Sequence, residues 1–407
     1  MPNYLSPGVY IEEVSTGARP IEAVGTSTAG FVGVAPDQSA YPRKAEAVNN
    51  WTEFLKKFGS AGGPSTHLAQ AVFGFFLNGG RRCYVVNLGE ANTITGDGKG
   101  RKGIDLLEEV DEVAIVAAPG FSDVASHEAL LSHCEKLRDR VAILDTPKEV
   151  ADISQLTKVA TASVSKPDED ERARSIDGDQ LSGLRPRQSD NGFGAIYFPW
   201  ITVRDPISAN ELVEVPPSGH MAGVYARTDA TRGVHKAPAN EVIRGALNVR
   251  YRVTHDEQGE LNPNGINVIR FFSNEGIRVW GARTVASGSS QWRYLNVRRL
   301  FNMIEESIAR STRWIVFEPN DAPLWKSIRR DISAFLTILW RQGALMGQSA
   351  EEAFFVKCDE ETNTPESIEA GMVIVVVGLA PVKPAEFVIF RVSQGAGGAE
   401  RESLEEK

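Results

Sequence analysis

Residues 291–325 read QWRYLNVRRLFNMIEESIARSTRWIVFEPNDAPLW, and the architecture of the C-terminal part of the chain follows from them. Apolar residues recur there at the spacing of an amphipathic helix, namely Leu300, Phe301, Ile304 and Ile308. The apolar run Trp314–Phe317 then predicts a short strand. Asn320–Pro323 supplies an N-cap and an early proline, which signal the start of a second helix.

This second helix has one long apolar face and ends near Gly343; the face carries Trp325, Ile328, Ile332, Phe335, Leu336, Leu339 and Trp340. Three strand-like runs follow it: Phe354–Val356, Met372–Val377 and Phe387–Val392. Two helices on a small sheet predict an α+β domain. The last of these strands is expected to lie outside the compact domain, because Pro381 and Pro384 precede it and a polar tail follows it.

The chain upstream of this domain has a different pattern. From Phe31 to Leu144, continuous apolar strands alternate with helices, which is typical of a mainly parallel sheet buried on both faces. The residues before about Thr28 contain helix-breaking prolines and glycines, but Val9–Ile11 has strand character. Either this N-terminus is disordered, or its lone strand pairs with a partner elsewhere.

Several ordered motifs resemble those of contractile tail sheath proteins, which occur in phages with contractile tails and in related injection particles. They are SPGVYIEEV at 6–14, GFVG at 30–33, NVRR at 296–299, IEESI at 304–308, VFEPN at 316–320 and LW at 324–325. The resemblance implies an α/β, subtilisin-like sheath domain followed by a smaller α+β domain, with extended strand arms at both ends. The expected divisions are 1–28 (arm), 29–288, 289–392 and a disordered tail at 393–407.

The same resemblance implies a structural function. Sheath subunits polymerise helically around an inner tube and contract to drive it through a target envelope, with baseplate and terminal cap proteins as further partners. In this family both arms are donated to the C-terminal domains of neighbouring subunits. The arm residues are expected to be Val9, Tyr10, Ile11, Phe387, Val388, Ile389 and Phe390. Contraction of this kind needs no cofactor.

Composition is consistent with a soluble assembly subunit. The 407 residues carry a formal net charge of −9, which disfavours general binding to nucleic acid. Neither a signal peptide nor a transmembrane segment is expected, so we expect cytoplasmic synthesis followed by incorporation into a particle. Cys83, Cys134 and Cys358 have no paired spacing and are interpreted as reduced, with the first two buried.

Motifs that could indicate catalysis, cofactor binding or metal binding are weak in this sequence. The glycine-rich run Gly96–Gly103 lacks the Walker pattern and lies too far from the preceding strand for a dinucleotide site. The histidines show no metal-binding spacing, since His127 and His133 fall on different helix faces. No serine-protease motif is found, and we expect no catalytic, cofactor or metal site. The alternatives are a soluble α/β enzyme and a scaffold that forms a closed ring.

Basic residues cluster in the C-terminal part of the chain: Arg293, Arg298, Arg299, Arg310, Arg313, Lys326, Arg329 and Arg330. They form either a solvated face or a contact with an acidic partner. In a sheath that partner is the inner tube, and Lys326, Arg329 and Arg330 are the residues for which this contact is predicted.

Overall fold

The structure is a computed structural model that describes residues 20–60, 63–91, 93–96, 100–161, 183–208 and 211–389. Its strands are β1 (Ala29–Gly33), β2 (Ala45–Val48), β3 (Cys83–Asn87), β4 (Ile115–Ala117), β5 (Val141–Asp145), β6 (Gly194–Phe198), β7 (Ile201–Arg204), β8 (Leu212–Val215), β9 (Asn248–Val249), β10 (Ile266–Phe272), β11 (Gly276–Val279), β12 (Phe354–Lys357) and β13 (Val376–Leu379). Its helices are α1 (Trp51–Phe58), α2 (His67–Asn78), α3 (Val124–Leu137), α4 (Ser218–Arg232), α5 (His255–Leu261), α6 (Leu295–Ser311), α7 (Ala322–Arg341), α8 (Ala350–Ala353) and α9 (Pro365–Glu369).

An eight-stranded sheet forms the centre of the larger part of the molecule, in the order β11-β10-β6-β5-β4-β1-β3-β2. The six inner strands run parallel, whereas β2 and β11 join the two edges antiparallel. This arrangement confirms the predicted mainly parallel sheet. A smaller antiparallel sheet, β8-β7-β9, lies beside it.

Each inner strand buries both of its faces. In β1, Phe31 faces a core formed with α1, α2 and α4, while Val32 faces a second core formed with α3. Helices α2 and α4 pack very closely, because a Cβ atom added to Gly219 of α4 would lie 2.3 Å from the Cα of Ala71. Such contact requires glycine at this position, and a larger residue would force the helices apart.

A third core lies between α6, α7 and the two-stranded sheet β12-β13. Helix α7 begins as predicted, with Asp321 accepting a hydrogen bond from the Leu324 amide at 3.0 Å. The apolar faces predicted for both helices supply much of this core: Leu300, Ile304, Trp325, Ile328, Ile332, Phe335, Leu336 and Leu339. Ile21 joins it from the N-terminal segment.

The prediction of a strand at Trp314–Phe317 is wrong. Arg313–Ile315 forms a turn of 3₁₀-helix, and Phe317 has a φ of +71°, which no strand accommodates. This turn lies in the connection between α6 and α7. Short apolar runs do not distinguish a strand from a helical turn by periodicity alone.

The predicted strand Met372–Val377 is displaced toward its C-terminus. The ladder begins at Val376, opposite Lys357, because β12 is only four residues long. Upstream of it, the side chain of Asn363 bonds both backbone groups of Ile374, accepting at 2.7 Å and donating at 3.2 Å. An amide side chain thereby replaces a strand partner.

Phe387–Ile389 forms no strand within this chain. These residues are 73%, 71% and 80% exposed, respectively. Val9–Ile11, Phe390 and the tail lie outside the described residues, so the arms stay a prediction.

Candidate assembly surfaces

The N-terminal segment is attached along helix α6. The amide of Glu22 donates to the Ser311 hydroxyl at 3.2 Å, and the amide of Val24 donates to the Ser307 hydroxyl at 3.0 Å. Two serines four residues apart on a helix present their hydroxyls on one face. They therefore hold an extended segment parallel to the helix axis, with its upstream end at the C-terminus of α6.

The C-terminal segment is attached near the other end of α6. Asn296 donates to the Val382 carbonyl at 3.1 Å, and Arg283 holds the Glu386 carboxylate through two hydrogen bonds of 2.9 and 2.5 Å. Both partners in this ion pair are largely shielded from solvent. Exposure rises abruptly at Phe387, directly after this anchor.

Helix α6 thus separates the two points at which the terminal segments leave the body. It has 17 residues, which corresponds to about 25 Å at the usual rise per residue. The two segments consequently emerge at well-separated places, and the C-terminal segment leaves where Arg283 of the larger domain holds Glu386.

The two-stranded sheet has unpaired edges. Among the described residues, β12 pairs only with β13, so each strand has one row of backbone groups without a strand partner. Exposed apolar side chains lie on this sheet and just before it, since Phe355 and Val376 of the sheet and Met372 and Ile374 upstream of β13 are all at least 40% exposed. Exposed, apolar edge strands are templates for pairing with another chain.

Helix α7 presents a basic face to solvent. Lys326, Arg329, Arg330 and Arg341 are exposed along it. Its one acidic residue, Asp331, is only 8% exposed and accepts from Arg330 at 2.9 Å. A positive surface on a protein with a negative net charge marks a place where an acidic partner is favoured.

Two arginines of the predicted basic cluster are not on the surface. Arg298 lies over the rings of Trp292 and Phe193, at 4.2 and 4.7 Å from their centroids. Arg299 forms a buried ion pair with Asp229 of α4, at 2.8 and 2.6 Å. Their prediction as part of a solvated or partner-facing cluster is wrong, because both guanidinium groups hold the protein interior together.

The carboxyl ends of parallel strands are where α/β enzymes bind ligands, and at the end of β5 this place is taken by internal hydrogen bonds. Asp145 accepts from the hydroxyl and the amide of Ser218 at 2.6 and 2.9 Å, and burial raises the pKa of Asp145 to about 6. Ser218 is fully buried and bonds the carboxylate directly, with no histidine between the two. This geometry fixes the start of α4 and does not create a nucleophile.

Two family models match consecutive parts of the chain. The phage tail sheath protein central domain matches residues 101–285, and the phage tail sheath C-terminal domain matches residues 287–395. A solved sheath structure from an extracellular contractile injection system, the PVC sheath complex in its contracted state, is 34% identical. It aligns over 97% of this chain and 99% of that one, with a TM-score of 0.75.

The chain belongs to the contractile tail sheath family. Two further sheath relatives support this assignment. The helical sheath of the anti-feeding prophage in its contracted state is 31% identical, with a TM-score of 0.69 over 97% of this chain and 100% of that one. The tail sheath protein of Salmonella phage ViI is 28% identical over 67% of this chain and 42% of its own length, so the chain spans less than half of that relative.

Family membership confirms the predicted class of protein: a sheath subunit with a structural role, and not an enzyme. Solved relatives include helical sheaths and baseplate complexes, which supports an oligomer with tail partners. Among the described residues of this sheath protein, no helix is both long enough and apolar enough to span a membrane.

Proposed function

We propose that this chain polymerises helically around an inner tube and contracts to drive that tube through a target envelope. Copies of itself, the tube protein, and baseplate and terminal cap proteins are its partners, and no cofactor is needed. The observation that carries this proposal is the placement of the two terminal segments at opposite ends of α6. The same domain contains a small sheet, β12-β13, whose two outer edges have no strand partner among the described residues.

Strand exchange links the subunits in this proposal. Val9–Ile11 and Phe387–Phe390 each add a strand to an edge of the β12-β13 sheet in a neighbouring subunit. Each subunit donates two strands and offers two open edges of its β12-β13 sheet. Every such edge inside a tube is therefore paired with a donated strand. Because donor and acceptor are different surfaces, the contact is heterologous and builds a helix when its rotation does not close.

The proposed domain division explains how linked subunits can move. The α/β domain, 29–288, is subtilisin-like in this proposal and lies outside, whereas the domain 289–392 lies next to the tube. Gly17 and Pro20 at one end, and Pro381 and Pro384 at the other, connect the arms to the body. The exchanged strands stay paired while the outer domains rotate. The chain is made in the cytoplasm before it joins the particle.

Negative-stain electron microscopy of the purified chain, with sedimentation, tests this proposal. Long hollow tubes with a helical repeat are expected. Monomers or small closed rings at high concentration, with the tube protein added, would instead favour a scaffold of another kind.

The basic face of α7 is proposed to contact the inner tube through Lys326, Arg329 and Arg330. Reversing two charges, as Lys326→Glu with Arg329→Glu, should weaken tube binding at least about tenfold, because attraction to acidic groups becomes repulsion. Self-assembly without the tube should persist. Co-sedimentation with purified tubes measures the first effect, and sedimentation of the sheath protein alone measures the second.

The matched control reverses two exposed cations of the larger domain, Lys56→Glu with Arg204→Glu. This variant should bind the tube as the unaltered chain does. Equal tube binding by the α7 variant and the control would contradict the assignment of this face.

A further inference from the structure

Three side chains of metal-ligand type meet where the 3₁₀-helix Gly103–Glu109 lies against α3. Asp105 and Glu108 are three residues apart, and residues at this spacing share one face of a 3₁₀-helix. His133 of α3 completes the group, and the ligand atoms of all three lie within 4.8 Å of one another. Apolar packing of Leu107 against Leu130 and Cys134 holds the two helices in this position.

The imidazole of His133 is the unusual member of this group. His133 is 5% exposed, and both of its ring nitrogens are buried without a hydrogen-bond partner. Because the protein engages neither ring nitrogen, the neutral imidazole has a lone pair available for a cation. A buried polar group without a partner is costly, and it indicates an interaction with something besides the protein.

We propose that Asp105, Glu108 and His133 bind a divalent transition-metal cation of the Zn²⁺ type. Imidazole nitrogen and carboxylate oxygen are both zinc ligands, and three protein ligands leave a fourth, open position for water. Mg²⁺ and Ca²⁺ fit less well, because both prefer oxygen donors alone. The bound cation would connect the 3₁₀-helix to α3, and this inference does not depend on the proposed sheath function.

The surrounding charges permit a cation. Lys136 pairs with Glu108 at 2.7 Å, and Arg140 pairs with Asp139 at 2.6 Å. Together with Asp105, these groups leave one net negative charge around the site. The Lys136 side chain is 65% exposed and is free to turn into solvent, which releases the Glu108 carboxylate for the metal.

Calorimetric titration of the chelator-treated chain with Zn²⁺ tests the proposal. One Zn²⁺ per chain is expected, with a Zn²⁺-dependent rise in melting temperature. Asp105→Asn, at an exposed position that should not disturb folding, should weaken binding at least about tenfold, and His133→Gln should abolish it. Excess Mg²⁺ should not compete.

The matched control is Glu109→Gln, on the same 3₁₀-helix but outside the cluster and paired with Arg101. It should bind Zn²⁺ with unchanged affinity and stoichiometry. Absence of binding in the unaltered chain, or equal binding by Asp105→Asn and Glu109→Gln, would overturn the proposal.

Discussion

A chain that ends at Glu386 will fold but will not polymerise. Phe387, Val388 and Ile389 have most of their surface in solvent, so their transfer into a neighbouring sheet contributes about 1.5–3 kcal/mol for each side chain. Ordering the arm offsets part of this gain. Even about 4 kcal/mol changes a dissociation constant roughly a thousandfold. Sedimentation should therefore give a monomer at concentrations where the unaltered chain forms tubes, with an unchanged circular dichroism spectrum.

The control for this truncation removes only the polar tail, 395–407, and should leave polymerisation intact. Deletion of Met1–Gly17 should act like the truncation at Glu386, because it removes the other donated strand. Tubes of normal appearance from either arm-deleted chain would contradict strand exchange as the link between subunits.

Replacing Arg299 by methionine should cost about 3–5 kcal/mol of unfolding free energy, because it leaves a charged partner buried and alone. Asp229 is 6% exposed in its side chain and also accepts from the Thr26 hydroxyl at 2.5 Å. Arg299 in turn donates to the Thr26 carbonyl at 3.0 Å. The substitution therefore disturbs the N-terminal segment, α4 and α6 at once. Urea unfolding of the dispersed chain measures the loss.

The same substitution at an exposed pair, Arg101→Met, is the control. Arg101 and Glu109 are 57% and 60% exposed, and such pairs contribute at most about 1 kcal/mol. In a double variant, Arg299→Met with Asp229→Leu, most of the lost stability should return. A loss at Arg299 no larger than at Arg101 would show that the buried pair has no special role.

Much of the fold could be predicted because its signals are local. The parallel strands are continuous apolar runs, and α7 has both an N-cap and a long apolar face. The prediction of a strand at Trp314–Phe317 was wrong for the opposite reason, since a run of four apolar residues fits either a strand or a helical turn. In the structure this run begins with a turn of 3₁₀-helix in the connection between α6 and α7.

The anchors of the terminal segments could not be predicted from the sequence. Arg283 and Glu386 are 103 residues apart, and nothing local indicates that they pair. The same holds for Ser307 and Ser311, whose hydroxyls accept from a segment almost 300 residues upstream. Arg298 and Arg299 look like surface charges in the sequence. Only the packing of α6 against α4 and the aromatic rings makes them internal.

The attachment of both terminal segments to α6 has a mechanical consequence for a polymer joined by its arms. A pull between neighbouring subunits enters at Ser307 and Ser311 and leaves at two places, Asn296 of α6 and Arg283 of the larger domain, so part of the load runs along the axis of α6. Arg283 passes the rest of the load into the eight-stranded sheet, because its backbone is hydrogen-bonded to the Asn267 side chain of β10. Arg299, in the second turn of α6, pairs with Asp229 of α4 and is a further lateral connection between this helix and the larger domain.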